Sequence, residues 1–140
     1  MNTAKVLYLG DLRTQATHLR SGEWITTDAP IDNQGKGEYF SPTDLVASAL
    51  GSCMLTVMGI AARTHGIDMD GTYADILKVM ADQPRRIAEI HVSIFFPDKA
   101  YTSKQKSILE HTARTCPVGR SLSEQLKEIL TFHWPENESL

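Results

Sequence analysis

Cysteine is nearly absent from this chain: among 140 residues there are two, Cys53 and Cys116. Two cannot build a disulfide framework. Without a Cys-x-x-Cys pair, and with His18, His65, His91, His111 and His133 scattered, they show no zinc-ligand spacing either. Positive charge is also short. Fourteen Lys and Arg stand against 17 Asp and Glu, for a formal net charge of −3. No basic run exceeds Arg85-Arg86, so a nucleic-acid footprint is missing. Gly35-Lys-Gly37 is too short for a phosphate loop. The start, Met1-Asn-Thr-Ala-Lys, leads into a strand-like run, not the apolar core of a signal peptide. The most apolar stretch, 45–62, is broken by Ser48, Gly51, Ser52, Thr56 and Gly59, which suits a buried helix better than a membrane span. The expectation is a cytoplasmic, reducing setting, with neither membrane nor nucleic acid as partner. A lasting disulfide is not expected there, whereas a transient catalytic one is allowed.

What is present is ordinary for a globular protein: 41% hydrophobic and 22% charged residues, enough for a single domain over 1–140 with one core. Short runs rich in Thr and aromatic residues, 6–9, 13–19 and 24–27, are separated by Gly10-Asp11 and Arg20-Ser-Gly22 and predict an antiparallel meander. Residues 30–39 read as a polar, Gly-rich loop. Ser41-Pro42-Thr43-Asp44 is a helix start: Ser41 caps, Pro42 fits the first turn and Asp44 completes a capping box. Val46, Leu50, Cys53, Val57 and Ile60 then recur at helical spacing, flanked by Leu45, Ala49, Met54, Met58 and Ala61. So wide an apolar arc predicts a long helix buried on most sides, with Gly66 as its C-cap. Strands are expected over 71–81 and 87–96, the second with Ile90, Val92, Ile94 and Phe96 on one face. A helix over 103–115, a short helix after Cys116 and a strand over 128–134 complete the order ββ(β)–α–ββ–αα–β. Strands and helices are segregated, which indicates α+β.

The two cysteines read differently by position. Cys53 lies mid-helix, where a small core residue is the plainer reading and the helix dipole gives a thiolate no help. To react it would need a cation from elsewhere, and Arg20, Arg63, Arg114 and Arg120 are the candidates. Cys116 precedes Pro117, so it would be an N-cap, where free N–H groups favour a thiolate. A cysteine packed under Pro117 and Val118 fits that position equally well.

Taken together, Ser41-Pro-Thr-Asp-Leu-Val-Ala-Ser-Ala-Leu-Gly-Ser-Cys53 and the later Cys116-Pro-Val resemble the OsmC/Ohr family, of osmotically inducible protein C and the organic hydroperoxide resistance proteins. Arg20-Ser-Gly, Thr26-Thr-Asp28 and the terminal strand fit too, so the likeness covers nearly the whole chain. It implies an OsmC-like α+β fold with N-terminal antiparallel strands, a long buried central helix, further strands and a second helical pair, in an intertwined homodimer. It implies a thiol peroxidase that reduces organic hydroperoxides without metal or bound cofactor. Carried over by position, Cys53 is the peroxidatic cysteine and Cys116 the resolving one, and Arg20 supports the thiolate. A dithiol such as dihydrolipoamide is the reductant. The chain departs from the peroxidase pattern at Thr43, ten residues before Cys53, where those branches carry a glutamate; Asp44 beside it is a substitute carboxylate. The alternative implied by this departure is a non-enzymatic dimer binding a small hydrophobic ligand at its interface cleft.

Overall fold

The computed structural model describes residues 1–136. The chain divides into two compact units, 1–46 and 47–140. In the first, β1 (Ala4–Gly10), β2 (Arg13–His18) and β3 (Trp24–Asp28) form an antiparallel sheet in chain order. Ala16 lies opposite Val6 on one side and Ile25 on the other. The β1–β2 turn is tight, with positive φ at Gly10, Asp11 and Leu12. The expected loop contains a single 3-10 turn, Ile31–Asn33. It runs back to β3, where the Asp28 amide donates to the Phe40 carbonyl at 3.0 Å.

The helix α1 (Pro42–His65) begins where the capping signal placed it. The Asp44 amide donates to Ser41 Oγ at 3.1 Å, and the Ser41 amide donates to Asp44 Oδ2 at 2.9 Å. Two orphan donors of the first turn are thereby satisfied reciprocally. Gly66, at φ +65°, ends the helix in the left-handed conformation that glycine adopts without penalty.

In the second unit the sheet is β4 (Tyr73–Ala81), β5 (Arg86–Phe95) and β6 (Lys127–His133). The β4–β5 pair is antiparallel and β5–β6 parallel, so the return to β6 needs a crossover. The helices α2 (Ser103–Ala113) and α3 (Pro117–Ser121) supply it. Ile90, Val92 and Ile94 are fully buried and Phe96 nearly so, as their alternation predicts. They form one core with Leu50, Met54 and Met58 of α1 and Leu109 and Ala113 of α2. Gly51 lets α1 settle on β4, since a Cβ there would stand 2.5 Å from Ile76 Cδ1.

One expectation about α1 is corrected. Its buried residues are Ala47, Leu50, Gly51, Met54, Met58 and Ala62, a single line at helical spacing. Ile60 is 62% exposed and Val46 37%. Apolar character extends around the helix, but the core of one chain presents one surface to it and covers one stripe. By length and composition α1 could also cross a membrane; here its Leu50, Met54 and Met58 are enclosed by the core.

Candidate functional site

The site grows from two local structures of the second unit. Cys53 projects from the middle of α1, half-buried and packed against the core. Cys116 sits between α2 and α3, 1% exposed. It has extended backbone, φ −69° and ψ 145°, and Pro117 follows at N1. Its sulfur accepts a hydrogen bond from the Gly119 amide at 3.3 Å. The N-cap position expected from the sequence is therefore formed. Although far apart in the chain, the two thiols are close enough for Cys53 to act on the Cys116 pKa, and both are free.

The expectation that the cap makes Cys116 the readier thiolate is overturned. Its pKa is raised: burial acts first and most strongly, and Cys53 and the Glu128 carboxylate act in the same direction. The Gly119 amide pulls the other way but does not prevail. A five-residue helix offers little field to set against removal from water. Glu128, on β6, was not singled out by sequence reasoning. Nothing at its own position marks it; only the parallel pairing of β6 with β5 brings it to the α2–α3 junction.

The first unit carries the other predicted residues. Arg20 lies exposed in the β2–β3 turn. Asp44 is the capping carboxylate of α1, and Thr43 Oγ1 lies 3.3 Å from Ser41 Oγ. Arg13 is the arginine held most firmly in this unit. Its Nη2 is 2.8 Å from Glu38 Oε1 and 3.4 Å from Asp28 Oδ2, and its guanidinium lies over the Tyr39 ring. Asp28 is fully buried and its pKa is lowered, chiefly by the Glu38 amide, with Arg13 adding to the effect against the cost of burial. A pairing with Asp28 and Glu38 across 15 and 25 positions leaves no local signal, which is why Arg13 was missed. A cavity of about 640 Å³ in this unit is lined by Trp24, Ile25, Tyr39, Phe40 and Asp44 among others. Among the described residues no three His, Cys, Asp or Glu converge to hold a metal ion.

Chemically, adjacent thiols of unequal exposure can pass between a dithiol and a disulfide, the outer one meeting the solute first.

A family model described as OsmC-like protein matches residues 35–129. A crystal structure from Psychrobacter arcticus 273-4, of a candidate osmotic stress induced and detoxification response protein, shares 52% identity. It covers 95% of this chain and 96% of its own, at TM-score 0.91. An organic hydroperoxide resistance protein OsmC from Legionella pneumophila is 13% identical over 93% of this chain and 94% of its own, at TM-score 0.74. The corresponding figures for an organic hydroperoxide resistance protein from Elizabethkingia anophelis are 14%, 95%, 96% and 0.73. At those identities the likeness is one of fold. A search of curated protein sequences finds no match.

Proposed function

Since the chain belongs to the OsmC-like protein family, we propose that it is a thiol-dependent peroxidase that reduces organic hydroperoxides in a reducing, cytoplasmic setting. The observation that carries this reading is the proximity of the half-buried Cys53 thiol to the buried Cys116 thiol, on whose pKa it acts. Cys53, the more accessible, attacks the terminal oxygen of the peroxide as thiolate. The O–O bond breaks, the alcohol leaves with a proton, and Cys53 becomes a sulfenic acid. The Cys116 sulfur then attacks the Cys53 sulfur, the hydroxyl leaves as water, and a disulfide remains. A dithiol of the dihydrolipoamide kind restores both thiols by exchange. The names of two relatives of the same fold, organic hydroperoxide resistance proteins, support the substrate class.

The Cys53 thiolate needs a cation, and in this reading Arg20 supplies it. Arg13 is the competitor, because Glu38 and Asp28 already fix its guanidinium. Asp44 is committed to capping, which leaves it a secondary role at most.

The test is stoichiometric cumene hydroperoxide followed by mass spectrometry. The wild type should lose both thiols to one Cys53–Cys116 disulfide, Cys116→Ser should stop at a Cys53 sulfenic acid, and Cys53→Ser should not react. Arg20→Ala should slow the first step and Arg13→Ala should not; the reverse would move the role to Arg13. Two reduced thiols after peroxide would sink the proposal.

A second reading rests on the 640 Å³ cavity with its Trp24, Tyr39 and Phe40 lining, which suits a small hydrophobic ligand in a non-enzymatic dimer. A Cys53→Ser variant that binds an apolar fluorophore unchanged, in a protein inert to peroxide, would favour it.

A further inference from the structure

Glu128 is an acidic group that acts on Cys116 and that the chemistry above leaves unused. It comes from β6, outside every motif that marks the cysteines. Its place is defined at Gly119: a Cβ there would stand 2.8 Å from Glu128 Oε1 and 3.3 Å from Cys116 Sγ. Carboxylate and sulfur thus both lie against the same side of Gly119, where a side chain would collide with the carboxylate. The hydrogen bond to the sulfur comes from the Gly119 amide, not from the carboxyl group. Beside Glu128 a cavity of about 190 Å³, lined also by Arg114 and Leu130, has room for water.

We propose that Glu128 is a positioning acid–base residue of the second chemical step, taking the proton of Cys116 through a bridging water as Cys116 attacks Cys53. The proposal rests on the peroxidase reading and deepens it. The buried Cys116 is held as a thiol, the poorer nucleophile, so attack requires that its proton leave. In the step the Cys116 S–H bond breaks and the S–S bond forms, while the S–O bond of the sulfenic acid breaks. Glu128, protonated by the thiol, returns that proton to the departing hydroxyl, which leaves as water. No electron is gained or lost beyond the two carried by the sulfenic acid, and Glu128 ends as it began.

The charged and titratable groups around Cys116 are few. Cys53 comes from α1, Glu128 from β6 and Arg114 from the end of α2, where its guanidinium lies 5.4 Å from the Phe132 ring centroid. Arg120 is exposed in the last turn of α3.

The experiment separates the steps without peroxide. With an aromatic disulfide such as Ellman's reagent, Cys53 attack releases one arylthiolate, and Cys116 attack on the resulting mixed disulfide releases a second. Glu128→Gln should leave the first release unchanged. It should slow the second roughly a hundredfold or more near neutral pH, with a rate that climbs in proportion to hydroxide. Glu128→Asp should recover part of the loss. The same ordering should appear with cumene hydroperoxide, Cys53 oxidising at its normal rate and the disulfide forming late. A second release in Glu128→Gln as fast as wild type, or faster at every pH, would show that the carboxylate merely repels a thiolate and would overturn the proposal. So would Glu128→Asp no better than Glu128→Gln, or no second release in the wild type. Failure of the peroxidase reading looks different: both thiols stay reduced in peroxide while the two-step aryl release proceeds.

Discussion

Asp28 keeps a fully buried carboxylate by bringing two donors to one oxygen: the Glu38 amide at 3.1 Å and Arg13 Nη2 at 3.4 Å both reach Oδ2, while Oδ1 has no hydrogen-bond partner among the described residues. These donors favour the charged form, so the folded pKa lies below that of the unfolded chain. The stabilisation is therefore complete above the ordinary carboxylate value of about 3.9 and is lost as pH falls through the lowered folded value. Hydrogen exchange should show the Glu38 amide protected at neutral pH and losing protection in acid. Asp28→Asn should weaken that protection at all pH values and flatten the dependence; wild-type protection and pH response in that variant would contradict this account. Cys116 illustrates the opposite outcome. Its local signals, an N-cap position and a following proline, favour a thiolate, yet burial first, with Cys53 and then Glu128 adding to it, raises its pKa. Local sequence names the donors; only the fold sets how much water is removed.

At the scale of elements, boundaries were legible where a physical device marks them. Ser41, Pro42 and Asp44 open α1 and Gly66 closes it; the capping box of α2, Thr102 with Gln105, is seen in the structure and was not named from the sequence. Period-two alternation identified the buried face of β5 because that strand has one core side. The buried line of α1 was harder to read, since apolar residues occupy most of its circumference and 3.6-residue spacing fits more than one stripe. The observed line runs through Leu50, Met54 and Met58, each fully buried. Met54→Ala should therefore cost about 2–5 kcal/mol, and Ile60→Ala, at a 62% exposed position of one chain, well under half as much in a monomer. Urea denaturation checks both; equal losses would mean that Ile60 is covered as deeply as Met54.

At the scale of the whole molecule, the exposed apolar surface is large in each unit taken by itself. Val6 is 65% exposed, Trp24 58% and Phe40 57% in the first; Ile60 is 62% and Leu77 58% in the second. Exposed large apolar side chains in such number suit a surface that meets a partner. A second copy of the chain is the partner we propose, as in the intertwined dimer that the family resemblance implies. Sedimentation should find a dimer at micromolar concentration, and a stable monomer there would remove the proposal. The charge count and the scarcity of basic runs pointed away from nucleic acid, but composition says nothing about which apolar surfaces remain outside once a core has formed.

By itself the sequence determined the α+β order, the ends of α1, the buried face of β5 and the identity of the two cysteines, because caps, turns and alternation act within a few residues. The tertiary structure decided that those cysteines are neighbours, that Cys116 is the hidden one, its pKa raised by burial, and that Arg13 and Glu128 belong to the charged groups of their units. Proximity and burial depend on separation in space, and the chain reports separation only along itself.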